Sequence, residues 1–387
     1  MNVLASEGAI GARLILDGGR ISAVEITPRP APPLNLLMAG LGFREAAQRI
    51  PTLFSLCAMA QRDACLGALE AAFGISPPPA WEASRKLLVL AETLEEHARH
   101  LLLDGALLLG AVPDAEGAKR IRRHVKSLEK AIHPAPFVVK PEAAHLAGWL
   151  EELRGLVLER IMGGRDVSAL SSFASLQDWG RGLPPVPALV LTRLQEHDRS
   201  APPPATAVLM GGLDPVWLAD MLRGDKLGRF TSRPATDEGI CLETGPLSRQ
   251  CDHPLIGAIE EELGCGLTAR ALARLIEISQ AMVAMAMILP MLEPWELGQG
   301  PMGSGEGIGQ SEAARGRLVH WVRVEESKIN SYRLMAPTEW NFHPEGPFVK
   351  ALLGAPARSP EAASHLARLQ AYAFDPCVGL LIEVYDA

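Results

Sequence analysis

The most apolar stretch of the chain, Ala281 to Leu292, restricts its folding more than any other feature. It closes a segment, roughly Thr268 to Ile288, whose apolar residues recur at helical spacing. From Ala281 onward that helix is apolar nearly all round, so it offers no face to water and is expected at the centre of the fold. The apolar run is too short to cross a bilayer and contains Pro290, so no membrane span is expected. The rest of the chain must close around it. With 48% hydrophobic and 21% charged residues among 387, it has the material to do so, and disorder is excluded as the main state.

Lysine and arginine number 37 against 45 acids, a net charge of −8. An acidic chain has no electrostatic footprint for duplex nucleic acid. Aromatics at 5% leave little for base-stacking platforms, so no nucleic-acid partner is expected. The first residues lack a basic head followed by an apolar run, which argues against a secretory leader. Six cysteines in a chain of this size do not make a disulfide framework. A cytoplasmic setting, where thiols stay reduced, is expected.

Along the chain, Ala12 to Leu16 and Arg20 to Ile26 flank Asp17-Gly18-Gly19, a strong hairpin signal that the Pro28 to Pro33 segment ends. Leu318 to Val324 and Ile329 to Met335 alternate around Glu325 to Lys328 and predict a second hairpin. Leu87, Leu90, Ala91, Leu94, Ala98 and Leu101 mark one amphipathic helix, and Leu146, Trp149, Leu150, Leu153 and Val157 another. Pro184 to Pro187 and Ala201 to Pro204 read as surface connections. No repeat is visible, and one unit over residues 1–387 is expected: a helical core with small β-hairpins from both ends.

Taken singly, the polar residues are ordinary. No cysteine has a CxxC partner or zinc-finger spacing, and all six read as small buried hydrophobes. The Gly303, Gly305, Gly307, Gly309 segment lacks the preceding strand and following helix of a phosphate-binding turn, and reads as a loop. His97, His100 and Asp104 share one side of a helix; a metal face is one reading, a hydrogen-bonded helix contact the more common one. Glu7 alone is a surface acid.

Together, their order and spacing resemble the large subunit of nickel–iron hydrogenases. Glu7-Gly8 leading to Asp17-Gly18-Gly19-Arg20 is similar to that family's Glu-Gly-His opening and DGGR hairpin, with Ala9 at the His. Ser55 to Ala64 falls on Arg-x-Cys-Gly-x-Cys-x-x-x-His, where only Cys57 survives; Ala60 stands at the second Cys and Ala64 at the His. Glu92, His97 and His100 resemble the family's Glu and Ser-His-x-x-His helix, and Ile132 to Pro134 and Glu243 to Arg249 also look familial. Glu312 to Trp321 resembles Glu-Ala-Pro-Arg-Gly-x-x-x-His-Trp, and Ala336 to Asn341 resembles Val-Pro-Thr-Thr-Trp-Asn. Asp375-Pro376-Cys377 opens Asp-Pro-Cys-x-x-Cys-x-x-His, but Leu380 and Glu383 replace the second Cys and the His.

The resemblance implies an α+β fold, a central helical bundle with peripheral hairpins that bring Cys57 and Cys377 together. In the enzymes four thiolates hold nickel and iron, two of them bridging, and the iron carries carbon monoxide and cyanide. Here the bridging pair is missing, so no nickel and no hydrogen turnover are expected. The diatomic pocket is retained: Arg315, Thr338 and Pro337 would surround the ligands, a guanidinium and a hydroxyl being suited donors for cyanide nitrogen. Glu7 stands at the enzymes' proton-relay carboxylate. Few residues follow Cys377, so no locking tail is expected. The pattern resembles the HupK/HoxV-type hydrogenase assembly proteins, whose role is to hold the iron–dicyano–carbonyl unit between accessory chaperones and the large-subunit precursor. Cys57 and Cys377 would then be the transient iron ligands. Both stand at nickel-only positions, so iron must shift toward them or a helper protein must add a thiolate. Cys65, about 12 Å from Cys57 if that segment is helical, suits less well. A divergent redox subunit and a metal-free interaction protein are the alternatives.

Overall fold

The computed structural model describes residues 8–30, 33–201, 208–298 and 300–387. In chain order, the elements that frame the site are strands β1 (Ala9–Asp17) and β2 (Arg20–Thr27), and helices α1 (Phe43–Leu53), α2 (Ala58–Phe73) and α3 (Pro79–Arg99). Then come helix α4 (Leu267–Ile288), strands β3 (Gly305–Ala313), β4 (Gly316–Glu325) and β5 (Lys328–Met335), helices α5 (Pro337–Asn341) and α6 (Pro360–Phe374), and strand β6 (Gly379–Asp386).

Both expected hairpins form. Gly18 and Gly19 take φ of 55° and 77°, the left-handed pair a tight hairpin needs. Glu326 and Ser327 do the same between β4 and β5 at 48° and 66°. The end of the chain adds what periodicity did not show: β6 pairs with β1 in parallel, Ala9 opposite Gly379 and Leu16 opposite Asp386, giving the order β6-β1-β2. Ile10, Ala12, Leu14 and Leu16 alternate inward and pack with α6 in a second core.

The glycine-rich segment is a strand, not a loop. β3 runs antiparallel to β4 and lies flat on α2. A Cβ on Gly309 would fall 2.0 Å from the Ala64 carbonyl oxygen, one on Gly307 2.0 Å from that of Ala68, and one on Gly305 2.3 Å from that of Ala72. Two strand residues advance about 6.7 Å and four helical residues about 6 Å, so a glycine every second residue matches an alanine every fourth. The seam admits no side chain on the strand.

α4 lies in the main core, with Leu272, Ile276, Ile278 and Met285 fully enclosed. Its last turns are less buried than their composition predicts: Val283, Met287 and Met291 are more than half or half exposed along one stripe. Residues 267–291 are long and apolar enough to cross a membrane, and 67% of the apolar window is buried inside the protein. Pro184 to Pro187 is not a connection but the start of the helix Pro185–Ser200, where proline costs no hydrogen bond. Of the other proline-rich segment, residues 202–204 lie outside the described residues.

Candidate functional site

Cys57 is the N-cap of α2. The helix start is completed by a carboxylate from α3: Glu92 accepts the Met59 and Ala60 amides at 2.8 and 3.1 Å. These are orphan donors of a helix's first turn, so α3 sets where α2 begins and where Cys57 stands. Cys377 follows α6 by way of Asp375, which ends that helix in a left-handed turn (φ 48°). The β6–β1 pairing then carries the chain away.

Between these two helix ends lies a narrow, mostly apolar cleft. Cys57, Cys377, Arg315, Pro337, Ala336, Gln61 and Arg29 are among the residues that line it. Thr338 approaches Cys377, Oγ1 to Sγ 3.0 Å. The cavity measures about 10 Å³, room for about one water molecule. Five of the six residues singled out in the sequence are thus within one small volume. The sixth, Glu7, lies outside the described residues.

The α2 side of the cleft favours neutral forms. Burial, then the nearby Cys377 and Glu92, push the Cys57 thiol well above the ordinary range. Burial raises Glu92 to about 7. Gln61 donates its amide to Cys57 Sγ at 3.6 Å and accepts from His320 Nε2 at 2.8 Å. Burial lowers His320 to about 3, so the ring is neutral. With Nε2 donating to an amide oxygen, Nδ1 is left to accept from the Tyr332 hydroxyl. Tyr332 in turn meets Cys65, whose thiol burial raises to about 12. From Tyr332 through His320 and Gln61, each donor points toward Cys57.

The opposite side keeps its charges. Arg315 reaches Glu96 at 3.0 Å and Asp375 at 3.2 Å, all deeply buried. Burial opposes the charge, yet these two carboxylates hold the guanidinium protonated. Against its own burial, Asp375 is held far below the carboxylate range by Arg315, His100 and Arg274. Behind it, Arg249 donates to Glu277 at 2.6 and 2.8 Å and to Glu312 at 2.9 Å. Despite burial, Arg249 and His97 draw Glu277 down to about 2. Glu277 is therefore an acceptor only, and His97 Nε2 donates to it at 2.8 Å.

His97 and His100 make helix contacts, the first to α4 and the second stacked on Tyr372 of α6 at 4.0 Å. Among the described residues no group of three or more His, Cys, Asp and Glu is placed to hold a metal ion. Of the other cysteines, Cys65, Cys241 and Cys265 are buried, whereas Cys251 is exposed, contrary to expectation. Gln61 and the Arg29–Glu339 pair were not legible as site residues. Gln61 reads as one more polar residue on a helix, and only β4 brings His320 to it.

Fold and site together define a class. The chain superposes on the Ni-Fe-Se hydrogenase from D. vulgaris Hildenborough with a TM-score of 0.73, covering 97% of this chain and 98% of that one at 19% identity, a likeness of fold. The family model for nickel-dependent hydrogenase matches residues 258–380. Closer relatives refine the class. The hydrogenase expression/formation protein HupK of Bradyrhizobium diazoefficiens is 30% identical over 387 residues, 99% of both chains. HoxV of Cupriavidus necator, of the same description, is 29% identical over 397 residues, 98% of this chain and 97% of that one. The chain belongs to this family of hydrogenase expression/formation proteins.

Proposed function

We propose that the protein serves hydrogenase assembly as a scaffold that carries an iron fragment bearing two cyanides and one carbon monoxide. It receives the fragment from accessory chaperones and passes it to the large-subunit precursor, without nickel and without turning over hydrogen. The observation that carries this reading is the meeting of two thiols, from opposite ends of the chain, with a buried guanidinium in one cleft. Cys57 and Cys377 would bind the iron as thiolates, soft ligands that suit a low-spin iron. The carbonyl and cyanides would then face Pro337, Arg315 and Thr338. A guanidinium has five N–H donors, and Glu96 and Asp375 do not use them all. Those carboxylates orient Arg315 as outer partners orient metal ligands elsewhere.

The absence of thiols at Ala60 and Leu380 supports carriage over catalysis: no second pair is present there to bridge two metals. Two ligands hold a cargo less firmly than four, which suits a protein that must let go. Infrared spectroscopy of protein purified without oxygen from hydrogenase-producing cells tests the reading. Carbonyl and cyanide stretching bands are expected on the wild type and lost in the Cys57→Ser, Cys377→Ser double variant. Hydrogenase maturation that proceeds unchanged with that variant would exclude metal carriage.

A further inference from the structure

We propose that the cavity beside the cleft is the port by which the ligated iron reaches Cys57 and Cys377, and that the Arg29–Glu339 ion pair is its door. What passes through rests on the cargo reading above; where the port leads does not. The cleft at the sulfurs has a volume of about 10 Å³. On that measure one water needs about 10–15 Å³, so three diatomic ligands, each at least a water in size, and an iron need on the order of 50 Å³. The closed cleft therefore does not admit the fragment, and one of its walls has to move.

One wall adjoins open space. A cavity of about 230 Å³, with Asn35, Lys226, Thr231 and Arg333 on its lining, shares Arg29 and Ala336 with the cleft. Arg29 thus faces both spaces. Its Nε lies 2.9 Å from Glu339 Oε1, the two side chains being 6% and 14% exposed. Glu339 Oε2 is buried without a hydrogen-bond partner. A carboxylate that uses one oxygen of two grips a guanidinium less firmly than a bidentate pair does. Glu339 also stands where the hydrogenase pattern has threonine. Lys226 and Arg333 put positive charge in the outer cavity, which suits an anionic cyanide complex.

Thiol access tests the port without any cargo. The full-length protein is treated with iodoacetamide or with the bulkier, neutral N-phenylmaleimide, and modification of each cysteine is followed by mass spectrometry. Cys251, exposed, and Cys65, fully buried, serve as internal references. Glu339→Gln removes the carboxylate charge of the Arg29–Glu339 pair, so the bulky reagent should modify Cys57 and Cys377 about tenfold faster. Ser232→Trp places an indole in the outer cavity, which Ser232 lines, and should slow both by about tenfold. The references should not change in either variant. Rates at Cys57 and Cys377 that stay within about twofold of wild type in both variants would overturn the port, as would an acceleration shared by Cys65, which marks general loosening. Missing infrared bands with these access changes intact would instead remove the iron cargo and leave the port.

Discussion

The two walls of the cleft answer burial in opposite ways. On the α2 side Cys57, Glu92 and His320 are displaced toward their neutral forms. On the other side Arg315, Asp375 and Glu277 are held charged, although they are as deeply enclosed. The difference lies in partners. Each group on the charged side has an opposite charge within about 3 Å, whereas among the described residues Cys57 accepts from an amide and Glu92 from two backbone N–H groups. Desolvation dominates where no opposite charge is in direct contact, as at Cys57, where the pull of Arg315 is weaker than burial, and Coulomb attraction dominates where one is. Burial thus keeps the Cys57 sulfur protonated in a cleft that it shares with the Arg315 guanidinium. If iron binds there as proposed, the thiol must lose that proton and set thiolate against guanidinium, so affinity would fall as pH falls.

The comparison breaks most visibly at Arg315. Arg315→Met leaves Glu96 with Arg99 alone and Asp375 with His100 and Arg274, and should cost on the order of 2–3 kcal/mol in urea denaturation. A loss near that of an exposed salt bridge would mean that charge does not hold this wall.

Two carboxyl variants sharpen it with opposite pH trends. Glu277 has a folded pKa of about 2, below its ordinary 4.5, so its contribution is full above 4.5 and lost as pH falls through 2. Glu277→Gln should be less stable by on the order of 2–3 kcal/mol at neutral pH and converge with wild type near pH 2. Glu92 has a folded pKa of about 7, above 4.5, so its contribution is full below 4.5 and lost as pH rises through 7. Glu92→Gln keeps one acceptor of the two that hold the Met59 and Ala60 amides, so it should be less stable than the wild type in mild acid by about 1 kcal/mol, and the gap should close as pH rises through 7. Denaturant melts across that pH range check both; parallel curves for wild type and variant would remove the assigned shift.

Local pattern carried much of the fold. The Asp17-Gly18-Gly19 turn specified a hairpin because few residue pairs accept two left-handed φ values in succession. The helices over α3 and α4 followed from apolar spacing. The glycine-rich strand did not, because its glycines answer the shape of α2, a partner some 240 residues away in sequence. The exposed stripe at Val283, Met287 and Met291 was likewise invisible, since composition does not say on which side an apolar helix runs out of neighbours.

For the site, the sequence by itself determined which chemical groups survive: two sulfurs, a guanidinium, a threonine hydroxyl and a proline, with alanine and leucine where two more thiols would stand. Only the tertiary structure decided that these groups meet at one cleft, that Gln61 and His320 form a row behind Cys57, and that Arg29 of its lining pairs with Glu339. Residue identity fixes what a group can donate, accept or ligate. Its protonation, and its access to anything, depend on distances and burial set by elements hundreds of residues apart.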